Sequence, residues 1–242
     1  TELDLYAQLV IVHELTHAHD DQWFDLERLE YEEADDEVGY GFAAVVEGSA
    51  SRVEAAWRAQ LSASDQAELD RLEATVLSPE EVEIYLSLPL MLLQLQISPY
   101  TDGEQFVEAL AAAGGEAAID AALLDPPRTS EQVLHPDRFI DLEEAVVVET
   151  PVAEGEIIDE GVVGELAFDL WLGNRAGNGW GGDRYVSWRT DEGACTRVDV
   201  VGDTAEDTEE YAVAAGSWAT QGQGRTVERV GDLVRVTGCY QR

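Results

Sequence analysis

Three of the four histidines in this 242-residue chain fall within seven positions, in Val12-His13-Glu14-Leu15-Thr16-His17-Ala18-His19-Asp20-Asp21-Gln22. Residues four apart share one face of a helix, so His13 and His17 are placed to reach a single metal ion. Glu14 follows His13 by about 100° around the helix axis. It therefore stands beside such an ion rather than under it. A carboxylate so placed can take a proton from a metal-bound water. The run Leu9-Val10-Ile11-Val12 before it is apolar, which predicts that the helix is buried. The stretch thus demands a fold in which a second element comes close enough to complete the site.

Two histidines do not hold a catalytic zinc; a third protein ligand is needed, with the fourth position left open. The candidate is Glu47, a lone acid in Ala43-Ala44-Val45-Val46-Glu47-Gly48-Ser49-Ala50, 30 residues past His17. A buried carboxylate without a partner is costly, and a metal removes the cost. Glu54 is the reserve candidate, although Arg58 four residues later offers it an ordinary ion pair. Metal-bound histidines usually donate their other N–H to a carboxylate or carbonyl. Asp21, four residues after His17, stays near that face and is the candidate acceptor. His19 points away from His13 and is not expected to bind metal. Hydrolysis also needs a donor for the oxyanion. His135 is the catalytic candidate for that role, with Arg184 and Tyr185 as further options. Trp180-Gly181-Gly182-Asp183-Arg184 reads either as a substrate loop or as a tight turn with a buried Asp–Arg pair.

Charge narrows the partners. There are 51 acidic residues against 14 basic ones, net -37, and every basic residue is arginine. Such a surface repels nucleic acid and anionic membrane. Salt adaptation and an exported protein from a high-GC genome both account for it, and both readings stay open. The longest apolar run, Leu86 to Ile97, is broken by Pro89 and Gln94 and is too short to span a bilayer. Neither cysteine, Cys195 or Cys239, has a second cysteine or histidine near it in sequence. A disulfide joining two tail strands is expected, with two buried thiols as the alternative.

The pattern predicts an α+β chain. Residues 2 to about 30 read as one long helix or two abutting ones. Asp35 and Asp36 are candidate caps for a helix over about 37–60. Ser64 opens a polar helix to about Leu77. Ser78-Pro79-Glu80-Glu81 is a start signal for a helix to about Ile97. Another begins at Thr101-Asp102 and ends at Gly114-Gly115, and a short one reaches Leu124. Residues 1–125 thus form a mostly helical region that carries the metal site, and 126–182 a connecting segment with a glycine-rich loop. Within that segment, 145–149 reads as extended and 161–172 as helix. Residues 183–242 form a small ββαββ region, with Gly231-Asp232 as a two-residue hairpin signal.

His13-Glu14-Leu15-Thr16-His17-Ala18, then Asp21-Gln22, Phe24-Asp25-Leu26 and Val46-Glu47-Gly48-Ser49-Ala50, resemble a largely uncharacterised family of secreted or lipid-anchored bacterial and archaeal zincin-like proteins. The blocks from Pro126 to Pro136 and from Gly179 to Tyr185 are similar to the same family. The resemblance implies a gluzincin-type zinc metallopeptidase with His13, His17 and Glu47 as ligands and Glu14 as the general base. It also implies a peptide or protein substrate and an extracellular or cell-surface location. Two features depart from the pattern. His19-Asp20 stands where the family has Leu-Gln. The first residue lies already inside the helix pattern, so a signal or lipid anchor, and the sheet whose edge binds substrate in zincins, are expected upstream. The alternative is a non-catalytic extracellular domain that keeps zinc as a structural or binding element. An intact Glu14 favours the peptidase; the lack of a preceding sheet favours the alternative.

Overall fold

Asp4 accepts the Ala7 N–H at 2.8 Å and opens α1, Leu5–Phe24. The helix ends where Asp25 turns to φ 53°, with its N–H on the Asp21 carbonyl. This computed structural model describes residues 3–28, 31, 36–173 and 179–241. The chain divides into a helical unit (Thr1–Glu33, Val38–Arg128, Val133–Ile140) and a sheet unit (Ala34–Glu37, Thr129–Gln132, Asp141–Arg242). The class is α+β, as expected. The connecting segment expected over 126–182 is shared between these two units.

In the helical unit, α2 (Asp36–Arg58) follows, and Asp35 lies outside the described residues. α3 (Ala63–Glu73) is capped by Ser62, whose Oγ accepts the Asp65 N–H, two positions before the expected Ser64. α4 (Pro79–Ser87) begins at the predicted signal, with a capping box between Ser78 and Glu81. It stops early because Leu88, held extended ahead of Pro89, cannot stay helical. α5 then runs unbroken over Leu90–Gly114, where two helices were expected. Pro99 sits inside it and supplies no N–H; the Ser98 hydroxyl, 3.3 Å from the Leu95 carbonyl, serves that oxygen instead. α6 (Glu116–Leu124) packs against α5; α7 (Ser130–Leu134) begins in the sheet unit and ends in the helical one, and α8 (Pro136–Ile140) belongs to the helical unit.

Ala44 and Val45 of α2, Phe106, Val107 and Leu110 of α5, and Ile119 and Leu123 of α6 form the core. Each large side chain buried there contributes about 1.5–3 kcal/mol. α1 departs from expectation: Leu9 is buried, but Val10, Ile11, Leu15 and Trp23 are exposed. Helical spacing can satisfy only one face at a time, and that face of α1 carries the histidines. Among the described residues no helix is long and apolar enough to cross a membrane.

Within the helical unit, one close crossing positions everything that follows. A Cβ on Gly48 would lie 2.2 Å from the Gly103 carbonyl oxygen, and one on Gly103 would lie 2.1 Å from that of Ala44. Only glycine at both positions lets α2 and α5 touch backbone to backbone.

The sheet unit holds β1 (Ile157–Gly161), α9 (Gly164–Leu172), β2 (Trp180–Arg189), β3 (Gly193–Gly202), α10 (Ala205–Thr220), β4 (Arg225–Val230) and β5 (Leu233–Gln241). The five strands are antiparallel in the order β1-β2-β3-β5-β4. The last four strands and α10 are the expected ββαββ. β1 adds an edge strand that its acids conceal in sequence, and residues 145–149 form no strand. Gly231, at φ 63°, makes the β4–β5 turn. Val198, Val200, Val234 and Val236 alternate inward under Tyr211 and Ala215 of α10. Cys195 and Cys239 are register partners on β3 and β5 and form the disulfide.

Asp183 lies within β2, not in a tight turn. Its carboxylate accepts the N–H groups of Val163 and Gly164 at the start of α9 and the Trp180 indole N–H, at 2.8–3.0 Å. Burial pushes its carboxyl up to about 6 despite these donors.

Candidate metal centre

Three consecutive residues of α2 point in three directions, about 100° apart. Gly48 meets α5. The Ser49 hydroxyl donates to the buried Asp20 carboxylate of α1 at 2.8 Å. Glu47 turns to the histidines. Its Oε2 lies 3.2 Å from His13 Nε2 and 3.4 Å from His17 Nε2, and the two Nε2 atoms are 3.0 Å apart. Among the described residues this is the one group of three His, Cys, Asp or Glu side chains able to share a metal ion.

The triangle of donor atoms tests the fit of zinc. With bonds of 2.0–2.1 Å, the edge of a zinc tetrahedron is about 3.3 Å. The observed edges of 3.0, 3.2 and 3.4 Å match one face of it. The surroundings point the same way. His13 faces a carboxylate on each side, Glu54 Oε2 3.2 Å from Nδ1 and Glu47 Oε2 3.2 Å from Nε2. The same Glu47 oxygen also faces His17 Nε2. Such an arrangement calls for a positive charge at its centre. The hydrogen bond to Glu47 raises the pKa of His17 against the effect of burial. Burial works to raise the Glu47 carboxyl, but hydrogen bonds from His17 and His13 prevail and lower it. His17 Nδ1 is buried without a hydrogen-bond partner. The donor set and its spacing fit zinc.

Glu14 is exposed and outside the ligand triangle, and its charge is felt by both His17 and Tyr100. Tyr100, on α5 one turn before Gly103, stacks on His13 with ring centroids 6.1 Å apart and is close enough to Glu47 to feel its charge. Burial, then the Glu47 charge, raises its pKa, so the phenol keeps its proton.

The structure brings His13, His17, Glu14 and Glu47 together. It does not bring Asp21 to the histidines in the expected way: Asp21 Oδ1 accepts the Leu26 N–H at 2.9 Å and closes the end of α1. The carboxylate on the outer nitrogen of His13 is Glu54, and Arg58, its expected partner, pairs with Asp70 and Glu73 instead. His19 is exposed and pairs with Asp20 at 3.2 Å, away from the triangle as expected. His135 stands between α7 and α8, its carbonyl accepting the Arg138 N–H; none of the described contacts of His13, His17 and Glu47 involves it. In the sheet unit the Tyr185 hydroxyl donates to Asp159 at 2.8 Å, and Arg184 belongs to the same strand.

Glu54, expected as the reserve ligand, instead partners the outer nitrogen of His13, and Tyr100 was missed. Glu54 follows Glu47 by seven, two helical turns on the same face, and that spacing was a usable signal. Tyr100 carries no local signal, because its place depends on the Gly48–Gly103 crossing. No protein-family model, curated protein or solved structure matches the chain.

Proposed function

We propose that this chain carries the active site of a zinc-dependent, gluzincin-type metallopeptidase acting on a peptide or protein substrate outside the cell. The observation that carries the reading is the donor triangle of His13, His17 and Glu47 with the exposed Glu14 carboxylate beside it. A structural zinc site has no use for that carboxylate. When bound, zinc would supply a Lewis acid that polarises the scissile carbonyl and makes water acidic at neutral pH.

The remaining work falls to side chains. Glu54 fixes the His13 tautomer, so that Nε2 offers its lone pair to the site. Glu14 takes the proton from the attacking water and passes it to the leaving amine. Tyr100, held in its protonated form, donates to the oxyanion on which charge develops. The test is metal analysis of the purified protein together with peptide hydrolysis. About one zinc per chain is expected, lost in Glu47→Ala together with hydrolysis. Full zinc content in Glu47→Ala would move the third ligand elsewhere, and a zinc-loaded protein inert towards every peptide would favour a structural zinc domain.

A further inference from the structure

A cavity opens in the helical unit between α1, α2 and α6, with a volume of about 820 Å³. None of His13, His17 and Glu47 lines it. Small-molecule sites typically enclose about 300–1,000 Å³. Its apolar wall includes Ile119, Leu123 and Leu124 of α6, and Trp23 of α1 stands at the rim with 72% of its surface exposed.

The charged groups in this cavity are mostly acidic, and His19 also lines it. Asp20, Glu116 and Asp120 contribute three carboxylates and Arg52 the single arginine. Arg52 is already engaged, 3.0 Å from Glu116 and 3.2 Å from Glu108. The Asp20 side chain is nine-tenths buried, and its described partners are the Ser49 hydroxyl and the imidazole of His19. A carboxylate so buried is stabilised by a full positive charge far more than by a hydroxyl. An exposed indole beside carboxylates suits an ammonium group, which the ring face attracts electrostatically.

We infer that this cavity is a binding site for an organic cation, an ammonium group carried on an apolar body. The apolar part lies against α6, and the ammonium lies between Trp23 and the carboxylates of Asp20 and Asp120. The site is independent of the metal centre.

Benzyltrimethylammonium is the probe, titrated calorimetrically in 1 M sodium chloride so that general attraction to the -37 surface is screened. Benzyl alcohol and benzoate are the controls. One saturable site for the cation is expected, with neither control binding within tenfold of it. Trp23→Ala should weaken the cation at least tenfold and Asp120→Asn several-fold. Both positions are exposed, so neither change threatens the fold, whereas Asp20→Asn would also disturb the contact with Ser49. Binding that survives both variants unchanged would place the cation elsewhere. Equal binding of benzyl alcohol would reduce the cavity to an apolar cleft, and absence of saturable binding would remove the site.

Discussion

His13 Nδ1 lies 3.2 Å from the Glu54 carboxylate, while the Nε2 of the same ring faces Glu47. Two acids seven residues apart on α2 thus grip one imidazole from both sides, and only one of them is placed to bind metal. Removing an outer partner of this kind typically costs about 10–100-fold in metal affinity. Glu54→Ala should therefore weaken zinc by that factor without abolishing the site. Glu54→Gln, whose carbonyl still accepts from Nδ1–H, should lose less. Competition with a chromogenic chelator measures both. Wild-type affinity in Glu54→Ala would mean that packing alone orients the ring.

Gly48 tests how the site is assembled. A methyl group there would meet the Gly103 carbonyl at 2.2 Å, and backbone cannot rotate out of the way as a side chain can. Gly48→Ala should push α2 and α5 apart and destabilise the fold by about 1–3 kcal/mol, the usual cost of overpacking. It should also weaken zinc, since Glu47 is the adjacent residue and Tyr100 lies one turn from Gly103. Urea unfolding and zinc titration read the two effects separately. A variant as stable as the wild type would show that the helices can separate without loss.

The pH dependence of the metal-free protein follows from His17. Its folded pKa is raised above 6.5 by Glu47, so the folded chain holds a proton there that the unfolded chain releases. This stability is fully present below pH 6.5 and is lost as pH rises through the folded value. The thermal midpoint of metal-free protein should fall over that window. Zinc displaces the same proton, so zinc affinity should rise over the same window and the zinc-loaded midpoint should not show the fall. The check is a set of thermal melts from pH 5.5 to 8.5, with and without zinc. A fall of the same size in zinc-loaded protein would exclude His17 as its origin.

How far the sequence foretold the site depends on how local each residue's signal is. His13, Glu14 and His17 are fixed by one helical turn, and Glu47 announces itself as a lone acid among apolar neighbours. The β4–β5 hairpin was likewise readable from Gly231-Asp232, and the pairing of Cys195 with Cys239 from an even cysteine count with both residues on tail strands. Asp21 misled because proximity along α1 says nothing of the helix end, where the Leu26 N–H needed an acceptor. Pro99 misled because a proline suggests a break, yet Ser98 serves the carbonyl that it leaves open. Tyr100 was then assigned to no helix and to no site. Its position is set by two glycines 55 residues apart in sequence, a relationship that no window along the chain contains.

Glu14 is where the peptidase reading stands or falls. The carboxylate is exposed, lies outside the donor triangle, and acts on His17 and Tyr100 through its charge. A general base needs access to water and a place beside the metal, and this position offers both. Glutamine keeps the shape and removes the basicity. In Glu14→Gln, zinc affinity should stay within a few-fold of wild type, because no ligand is lost, while turnover of a peptide substrate should fall by roughly two to four orders of magnitude, the usual size of a general-base contribution. The raised pKa of His17 should shift only slightly, since Glu47 is its main cause and the Glu14 charge a lesser one. Zinc lost together with turnover would make Glu14 a ligand or a structural residue. Turnover retained in the presence of bound zinc would locate the hydrolytic chemistry outside this helix.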